Sequence, residues 1–153
     1  MKKYKRDYVN RATLGSVEVE VAVDSTEGWI QVTCQGEASI EGYLASFEMQ
    51  LPLALDTECR FFLADHRKLT GVAGIPNEGV RRLAEWFAGH RSMLSGACSA
   101  VVVGCPVQYG LSRMFEAYVQ TSVPGFTFRV FDDLCHAKSW LRAEQASRDL
   151  LDR

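Results

Sequence analysis

Hydrophobic and polar residues alternate in two neighbouring segments near the start of the chain. Valines occupy positions 17, 19, 21 and 23, and two glutamates and an alanine separate them. After a turn sequence at residues 24–28, Ile30, Val32 and Cys34 alternate with polar residues. Alternation with a period of two is typical of a strand that has one face in water. The pattern therefore predicts an antiparallel hairpin over about residues 15–36.

Two later segments are apolar on both faces of the strand that each would form. Residues 61–64 read F-F-L-A, and residues 100–103 read A-V-V-V. Such runs are typical of parallel strands that are covered on both sides. Asp65 is expected to close the first of these strands, and an alternating segment at residues 126–131 predicts a fifth strand.

Segments with helical periodicity separate these strands. The apolar face of the first helix consists of Ile40, Leu44, Phe47 and Leu51. Ser39 is expected to cap this helix, and Pro52 to mark where it ends or bends. A second helix is expected to begin with Asn77 as its N-cap, and a third and a fourth follow the last two strands. The order β-β-α-β-α-β-α-β-α predicts an α/β fold with a mixed five-stranded sheet and right-handed crossovers.

The length and composition of the chain indicate one globular domain. It has 153 residues, of which 47% are hydrophobic and 24% charged, as in ordinary soluble proteins. We expect residues 1–14 to form a basic tail, residues 15–145 the folded domain, and residues 146–153 an extension of the last helix. No apolar run is long enough for a membrane helix, and residues 1–10 lack the apolar stretch of a secretory signal. A cytoplasmic protein without stable membrane insertion is therefore expected.

Charge is unevenly distributed along the chain, although the net charge is only −2. Residues 12–59 contain nine acidic residues and no lysine or arginine, whereas residues 60–153 contain twelve basic and nine acidic residues. An acidic first half disfavours nucleic-acid binding, because such affinity comes largely from cations on phosphates. Residues 1–11 carry a net charge of +4. They could contact phosphate or anionic lipid, or form a solvated terminus.

The cysteines and the short motifs predict no cofactor and no metal site. The five cysteines are odd in number and no pair has C-x-x-C spacing, which argues against a disulfide framework or a zinc site. Cys34 and Cys105 lie in or beside apolar strands, where a free cysteine behaves as a small hydrophobic residue. The chain has no phosphate-binding loop, dinucleotide fingerprint or hydrolase motif. Enzyme activity is therefore not expected.

Six residues that follow predicted strands form the candidate site for a ligand or partner. In open α/β sheets, ligands bind beyond the carboxyl ends of the parallel strands. These ends are followed by Asp65, His66, Arg67 and Thr70 in one loop and by Cys105 and Gln108 in the next. The first three could bind a polar or anionic ligand, but Asp65 could instead cap a turn or pair with Arg67. Cys105, at a helix start, could be an activated thiol or a buried structural one.

Two further features allow a structural and a functional interpretation. Trp29 and Trp86 could each anchor a partner or pack at the edge of the core. Arg113 and Glu116, three residues apart on one predicted helix, are expected to form a surface ion pair without a catalytic role.

Two segments resemble sequences of a known family. Residues 110–117 read G-L-S-R-M-F-E-A, similar to that family's helix start G-L-A-R-M-x-E-A. Residues 130–141 fit its pattern V-F-x-x-x-x-x-A-x-x-W-L. Over about residues 15–143 the chain resembles the small SpoIIAA-like bacterial proteins of the STAS and CRAL-TRIO grouping. The resemblance implies a SpoIIAA-like (STAS-like) fold, but its motifs are poor guides to activity because nearly every residue in them also has a packing role.

One part of the resemblance does not extend to this chain. In phospho-regulated STAS domains, a partner kinase phosphorylates a serine or threonine in a turn after the third strand. The equivalent residues here, 73–76, read A-G-I-P and contain no hydroxyl. The nearest hydroxyl belongs to Thr70, which could be a displaced acceptor.

Three functions are consistent with these observations. The first is a non-enzymatic cytoplasmic interaction or regulatory module that forms a homodimer and binds another protein. The second, implied by the CRAL-TRIO side of the resemblance, is a protein that binds a small apolar ligand or lipid, although short helices leave little room for a long acyl chain. The third, ranked last, is an enzyme that uses the loop at residues 65–70.

Overall fold

The structure, a computed structural model, describes residues 9–152 and has one mixed sheet of six strands. The strands are β1 Val9–Leu14, β2 Val17–Asp24, β3 Trp29–Glu37, β4 Phe61–Thr70, β5 Cys98–Val102 and β6 Thr127–Phe131. They lie side by side in chain order, with β1 to β3 antiparallel and β3 to β6 parallel. The predicted α/β class is therefore confirmed, and the hairpin pairs Val17 with Gly36 and Asp24 with Trp29.

The helices are α1 Ile40–Thr57, α2 Asn77–Gly89, α3 Arg91–Leu94, α4 Pro106–Ser122 and α5 Leu134–Leu151, with a 3-10 turn at Val72–Gly74. Ser39 caps α1 as expected, because its Oγ accepts a hydrogen bond from the Gly42 N–H at 3.0 Å. The expected cap Asn77 is wrong. Pro76 occupies the N-cap position and Asn77 is the first helical residue. The short α3 was not predicted, since four residues are too few to show a period.

Two hydrophobic layers hold the helices on the sheet. On one face, α1, α2 and α4 cover side chains such as Val32, Phe62 and Val101. On the other face, α5 packs Ala137 and Leu141 against a cluster that includes Leu63 and Ala100. Residues 62 and 63, like 100 and 101, thus face opposite layers, which explains why these strands are apolar on both faces.

The structure has one strand more than the five predicted, and the extra strand lies in the segment predicted to be a tail. Residues 1–8 of the expected tail lie outside the described residues, but residues 9–14 form β1, from Val9 opposite Ala22 to Leu14 opposite Val17. This strand has no buried residue. Its sequence therefore lacks the alternation of apolar and polar residues that a half-buried strand shows. Backbone pairing with β2 makes it a strand, and side-chain patterns do not report backbone pairing.

The strand β4 is longer than predicted. It continues past Asp65 to Thr70, so the expected loop at residues 65–70 is wrong. Beyond Asp65 this strand pairs with β3, from Gln35 opposite Lys68 to Glu37 opposite Thr70, after a register shift. The neighbouring β5 ends opposite Asp65. The second half of β4 therefore has a neighbouring strand on one side, β3. Most of its residues are polar, so its sequence resembles that of a loop.

The last turns of α1 and α5 also differ from expectation. Pro52 does not end α1, which continues to Thr57 before Glu58 adopts a left-handed conformation with φ 56°. Proline removes one backbone N–H from the helix, and the carbonyl four residues earlier belongs to exposed Glu48, where water can replace that donor. Residues 146–151 of the expected extension are helical. Among residues 9–152, no helix is long and apolar enough to cross a membrane.

Candidate functional site

A cavity of about 390 Å³ lies between the sheet and the layer formed by α1, α2 and α4. Its floor includes Phe62, Ala64 and His66 of β4, and Ser99 and Val101 of β5. Ala64 and Ser99 lie in central strands, yet both retain accessible surface. Interiors of folded proteins are close-packed, with few voids larger than a water molecule. The two small side chains leave the space that larger residues would fill.

The second half of α1 forms the roof of this cavity. The four buried residues of α1 are Ile40, Gly42, Ser46 and Thr57, so none lies between residues 47 and 56. Phe47, Leu51 and Leu55 instead line the cavity, and Leu55 is 60% exposed. This part of α1 is therefore apolar and only partly buried, although Met49 and Leu53 still pack against the hydrophobic core.

The cavity meets the surface near the amino ends of the parallel strands. Its lining there includes Glu58 after α1, Arg60 before β4 and Ser92 in α3, all exposed. Glu58 and Arg60 are the charged side chains among the lining residues that the structure describes. Arg60 also donates a hydrogen bond to the carbonyl of Met93. Both charges are thus at the mouth.

His66 lies at the opposite, inner end of the cavity and is 8% exposed. Burial lowers the pKa of His66 to about 4 from an ordinary 6.5, although the neighbouring Asp65 carboxylate opposes this shift. The imidazole is therefore neutral at pH 7, with one nitrogen as donor and one as acceptor. Its ring is tilted against that of Tyr43, with 5.5 Å between the centroids.

Gln108 also lines the inner end and is 2% exposed. Its Oε1 accepts a hydrogen bond from the Gly104 N–H at 2.8 Å, and its Nε2 donates to the His66 carbonyl oxygen at 2.9 Å. A Cβ at Gly104 would lie 2.7 Å from the Arg67 carbonyl oxygen. The turn after β5 therefore lies against β4. Gln108 bonds to both segments, and the missing side chain of Gly104 allows their close approach. Gln108 therefore holds the backbone of β4 at His66 against the turn that follows β5.

Asp65 and Arg67 lie on the other face of the sheet. Their side chains form a two-point ion pair, with Arg67 Nε 2.9 Å from Asp65 Oδ1 and Nη2 2.8 Å from Oδ2. Burial raises the pKa of Asp65, but hydrogen bonds and charge from Arg67 outweigh it and leave this pKa below its ordinary value. The pairing alternative is confirmed, and these two residues are not beside His66 in the cavity.

Thr70 and Cys105 also lie away from the cavity lining. Thr70 ends β4, is exposed, and donates its Oγ1 hydrogen to the Gly36 carbonyl oxygen at 3.2 Å. Cys105 occupies the N-cap position of α4 and is exposed, so the prediction of a buried thiol is wrong. The apolar strand β5 ends at Val102, and the turn that follows turns Cys105 outward. Of the six candidate residues, the structure brings His66 and Gln108 together in the cavity, and it pairs Asp65 with Arg67 outside it.

The aromatic and charged residues outside the candidate set are mostly structural. Trp29 is 1% exposed and packs beneath α5, so it is not a surface anchor. Trp86 is half-buried and lines the cavity. Arg113 and Glu116 pair at 2.7 Å as expected, but Glu116 is buried and not at the surface.

Sequence reasoning missed Tyr43, Ala64 and Ser99 as cavity residues. The available signal was a small residue within each of two apolar strands, but small residues in strands more often face a bulky neighbour across a filled core.

The five cysteines are free thiols. In the described part of the chain, no three His, Cys, Asp or Glu side chains are grouped closely enough to hold a metal ion. No protein-family model and no curated protein matches the chain.

Proposed function

We propose that this protein binds a small, mostly apolar molecule in the cavity between the sheet and the helices α1, α2 and α4. The observation that carries the proposal is an unfilled space of about 390 Å³ beneath α1. Pockets that bind small molecules span about 300–1,000 Å³ and have mostly apolar walls with a few polar groups. Phenylalanine, leucine and valine side chains dominate these walls, and His66 is a polar group within them.

The size of the cavity favours a compact ligand. A volume of about 390 Å³ is near the lower end of the usual range for ligand sites. The ligand is therefore closer to a bicyclic aromatic compound than to a long acyl chain. Access is through the mouth beside Glu58 and Arg60, where the lining residues are exposed.

Binding without turnover is part of this proposal. The loop that an enzyme would have used is a strand, and its Asp65 is paired with Arg67 on the face away from the cavity. The SpoIIAA-like fold is proposed on the same terms. Its support is the motif resemblance at residues 110–117 and 130–141, together with an antiparallel hairpin followed by parallel strands in chain order.

Titration with N-phenyl-1-naphthylamine tests the proposed function. This uncharged dye fluoresces more strongly in apolar surroundings. The wild-type chain is expected to give a saturable rise at one dye per chain, with a dissociation constant on the order of micromolar. Ala64→Leu extends a side chain into the floor of the cavity, and it is expected to weaken binding by at least about tenfold, which is about 1.4 kcal/mol.

Ala117→Leu is the matched control, because Ala117 is exposed on α4. It makes the same substitution outside the cavity and is expected to bind the dye as the wild type does. Thermal melts of both variants check that they fold, and Ala64→Leu should melt no lower than the wild type because it fills empty space. An unsaturable signal from the wild type, or equal binding by folded Ala64→Leu, would overturn the proposal.

A further inference from the structure

His66 has an unmet capacity for hydrogen bonding at the inner end of the cavity. The residue is 8% exposed, and neither ring nitrogen makes a hydrogen bond to any residue between 9 and 152. Its contact with Tyr43 is between the two rings. Among residues 9–152, Trp29 Nε1 is the buried side-chain nitrogen without a partner. The His66 nitrogens therefore keep some accessible surface, which faces the cavity that His66 lines. An occupant of the cavity would supply the missing partner.

The position of His66 is fixed by its surroundings. It lies in β4, and its carbonyl accepts the Gln108 Nε2 hydrogen bond at 2.9 Å. The Gln108 Oε1 is already bonded to the Gly104 N–H. Both ends of the Gln108 amide thus have backbone partners, whereas the His66 ring has none. The imidazole is thus a group at this end whose backbone is held in place and whose ring nitrogens are still available to a ligand.

The charges around His66 disfavour an ionised ligand group. Asp65, the preceding residue, carries a carboxylate on the opposite face of the sheet. The charged lining residues of the described chain, Glu58 and Arg60, are at the mouth, and Arg60 is bonded to Met93. A carboxylate or phosphate beside His66 would therefore be buried without a cation, which is strongly unfavourable. An ammonium group beside His66 would likewise be buried without a carboxylate to face it, which is unfavourable for the same reason.

We propose that the ligand is an uncharged, mostly apolar alcohol or phenol whose hydroxyl group hydrogen-bonds to the His66 imidazole. A hydroxyl group both donates and accepts, so it can serve either ring nitrogen of the neutral imidazole. The apolar part then extends along Ala64 and Phe47 toward the mouth. This inference rests on the proposed function, because it assigns a chemical class to the ligand of that cavity.

Competition against bound N-phenyl-1-naphthylamine tests the inference with three matched compounds. These are naphthalene, 2-naphthol and 2-naphthoate, which carry no polar group, a hydroxyl group and a carboxylate on the same rings. The quantity compared is the ratio of the dissociation constant of naphthalene to that of 2-naphthol. We expect this ratio to be about fivefold higher for the wild type than for His66→Leu, as one hydrogen bond predicts. 2-Naphthoate should bind most weakly.

His66→Gln is the rescue variant, since its amide keeps one donor and one acceptor group. It is expected to restore most of the preference for 2-naphthol, while naphthalene binds all three proteins alike. A nuclear magnetic resonance measurement on the wild type tests the same contact without relying on the folding of any variant. In the ¹⁵N-labelled wild type, the His66 ring nitrogen resonances should shift with 2-naphthol and much less with naphthalene.

The outcomes separate this inference from the proposed function. If neither the dye nor naphthalene binds the wild type, the proposed function fails. If both bind but the ratio is unchanged in folded His66→Leu, or His66 resonances respond equally to both compounds, only the ligand class is wrong. Tightest binding by 2-naphthoate would also overturn the uncharged-hydroxyl assignment.

Discussion

At the residue scale, the strand β4 sends consecutive side chains into different surroundings. Its even-numbered residues from Phe62 to His66 face the cavity, and its odd-numbered residues from Leu63 to Arg67 face the side of α5. Adjacent residues therefore differ in which form their surroundings favour: the uncharged form of His66 and the charged form of Asp65. Burial lowers the pKa of His66 to about 4, whereas Asp65 remains ionised beside Arg67.

Replacing His66 should change how stability depends on pH. Because its pKa falls from 6.5 to about 4 on folding, the unfolded chain binds more protons between these values. Stability from this residue is present above pH 6.5 and is lost as the pH falls toward 4. His66→Leu should therefore reduce the loss of unfolding free energy between pH 7 and pH 5 by ~2 kcal/mol, measured by denaturant melts.

The chosen pH window isolates this effect. Glu27 and Asp65 have pKa values lowered from 4.5 and 3.8, so they titrate below it. Ser99→Leu is the control, because Ser99 lines the same cavity and does not titrate. Parallel curves for the wild type and His66→Leu would contradict the assignment of a buried, neutral His66.

Two glycines close in sequence should respond oppositely to alanine. At Gly104 a Cβ would lie 2.7 Å from the Arg67 carbonyl oxygen, whereas at Gly110 nothing lies within 4 Å. Gly104→Ala should lower the free energy of unfolding by about 1–3 kcal/mol, because the backbone must shift. Gly110→Ala, within α4, should raise it by about 0.5–1 kcal/mol. If Gly110→Ala lowered the free energy of unfolding while Gly104→Ala left it unchanged, this geometry would be contradicted.

At the element scale, α1 consists of two unlike halves. Residues 40–46 include three buried residues, and Ser39 caps that end. Residues 47–56 include none, contain Pro52 and cover the cavity. Leu51, Leu55 and Trp86 border both the cavity and a shallow groove on the outer surface. These three side chains therefore separate the cavity from solvent along the seam between α1 and α2.

Hydrogen exchange should divide α1 at about residue 47. Local stability follows the burial of apolar contacts, so amides at residues 47–56 should exchange at least about tenfold faster than those at residues 40–46. Saturation with N-phenyl-1-naphthylamine should slow exchange at residues 47–56 more than in β2. Equal protection along the whole helix, with and without the dye, would show that this half is packed as firmly as the first.

The same scale explains which elements could be predicted from the sequence. The hairpin and β5 follow from burial, since Val17 to Val23 alternate and residues 100–102 are buried on both faces. The strand β1 depends on backbone pairing with the adjacent β2, and the second half of β4 on pairing with β3. Backbone pairing of this kind leaves no burial pattern in the side chains. Extending the period of two past Asp65 would have placed His66 with Ala64 and separated it from Arg67. The cavity itself depends on the spacing between layers, which no local pattern encodes.

At the scale of the whole molecule, the uneven charge is partly used within one chain. Glu27 of the acidic half pairs with Arg142 at 2.8 Å, and Glu41 pairs with Arg82 at 3.6 Å. The uneven charge along the sequence suggests complementary surfaces between two copies, but these ion pairs within one chain reduce that complementarity. The edge strand β1 is exposed, with Val9 48% exposed, and such edges favour pairing with another strand.

The symmetric homodimer stays a prediction, and the exposed β1 is the edge through which we now expect it to form. Sedimentation at tens of micromolar, a usual concentration for such complexes, should give a species of twice 17.1 kDa. If strand pairing and apolar contacts hold it, the dimer should persist at high salt, where surface charges are screened. A single 17.1 kDa species under both conditions would contradict it. The interaction-module hypothesis likewise stays a prediction, and stoichiometric recovery of one protein partner would support it.

The most direct test of the cavity as a binding site is a crystal structure of the protein grown with 6-bromo-2-naphthol. The bromine scatters anomalously and marks the ligand independently of the protein atoms. We predict one strong bromine peak per chain between α1 and the sheet, with the ligand oxygen within hydrogen-bonding distance of a His66 ring nitrogen. Bromine found only on the outer surface, with side chains closing the space above Ala64 and Ser99, would contradict the proposed function.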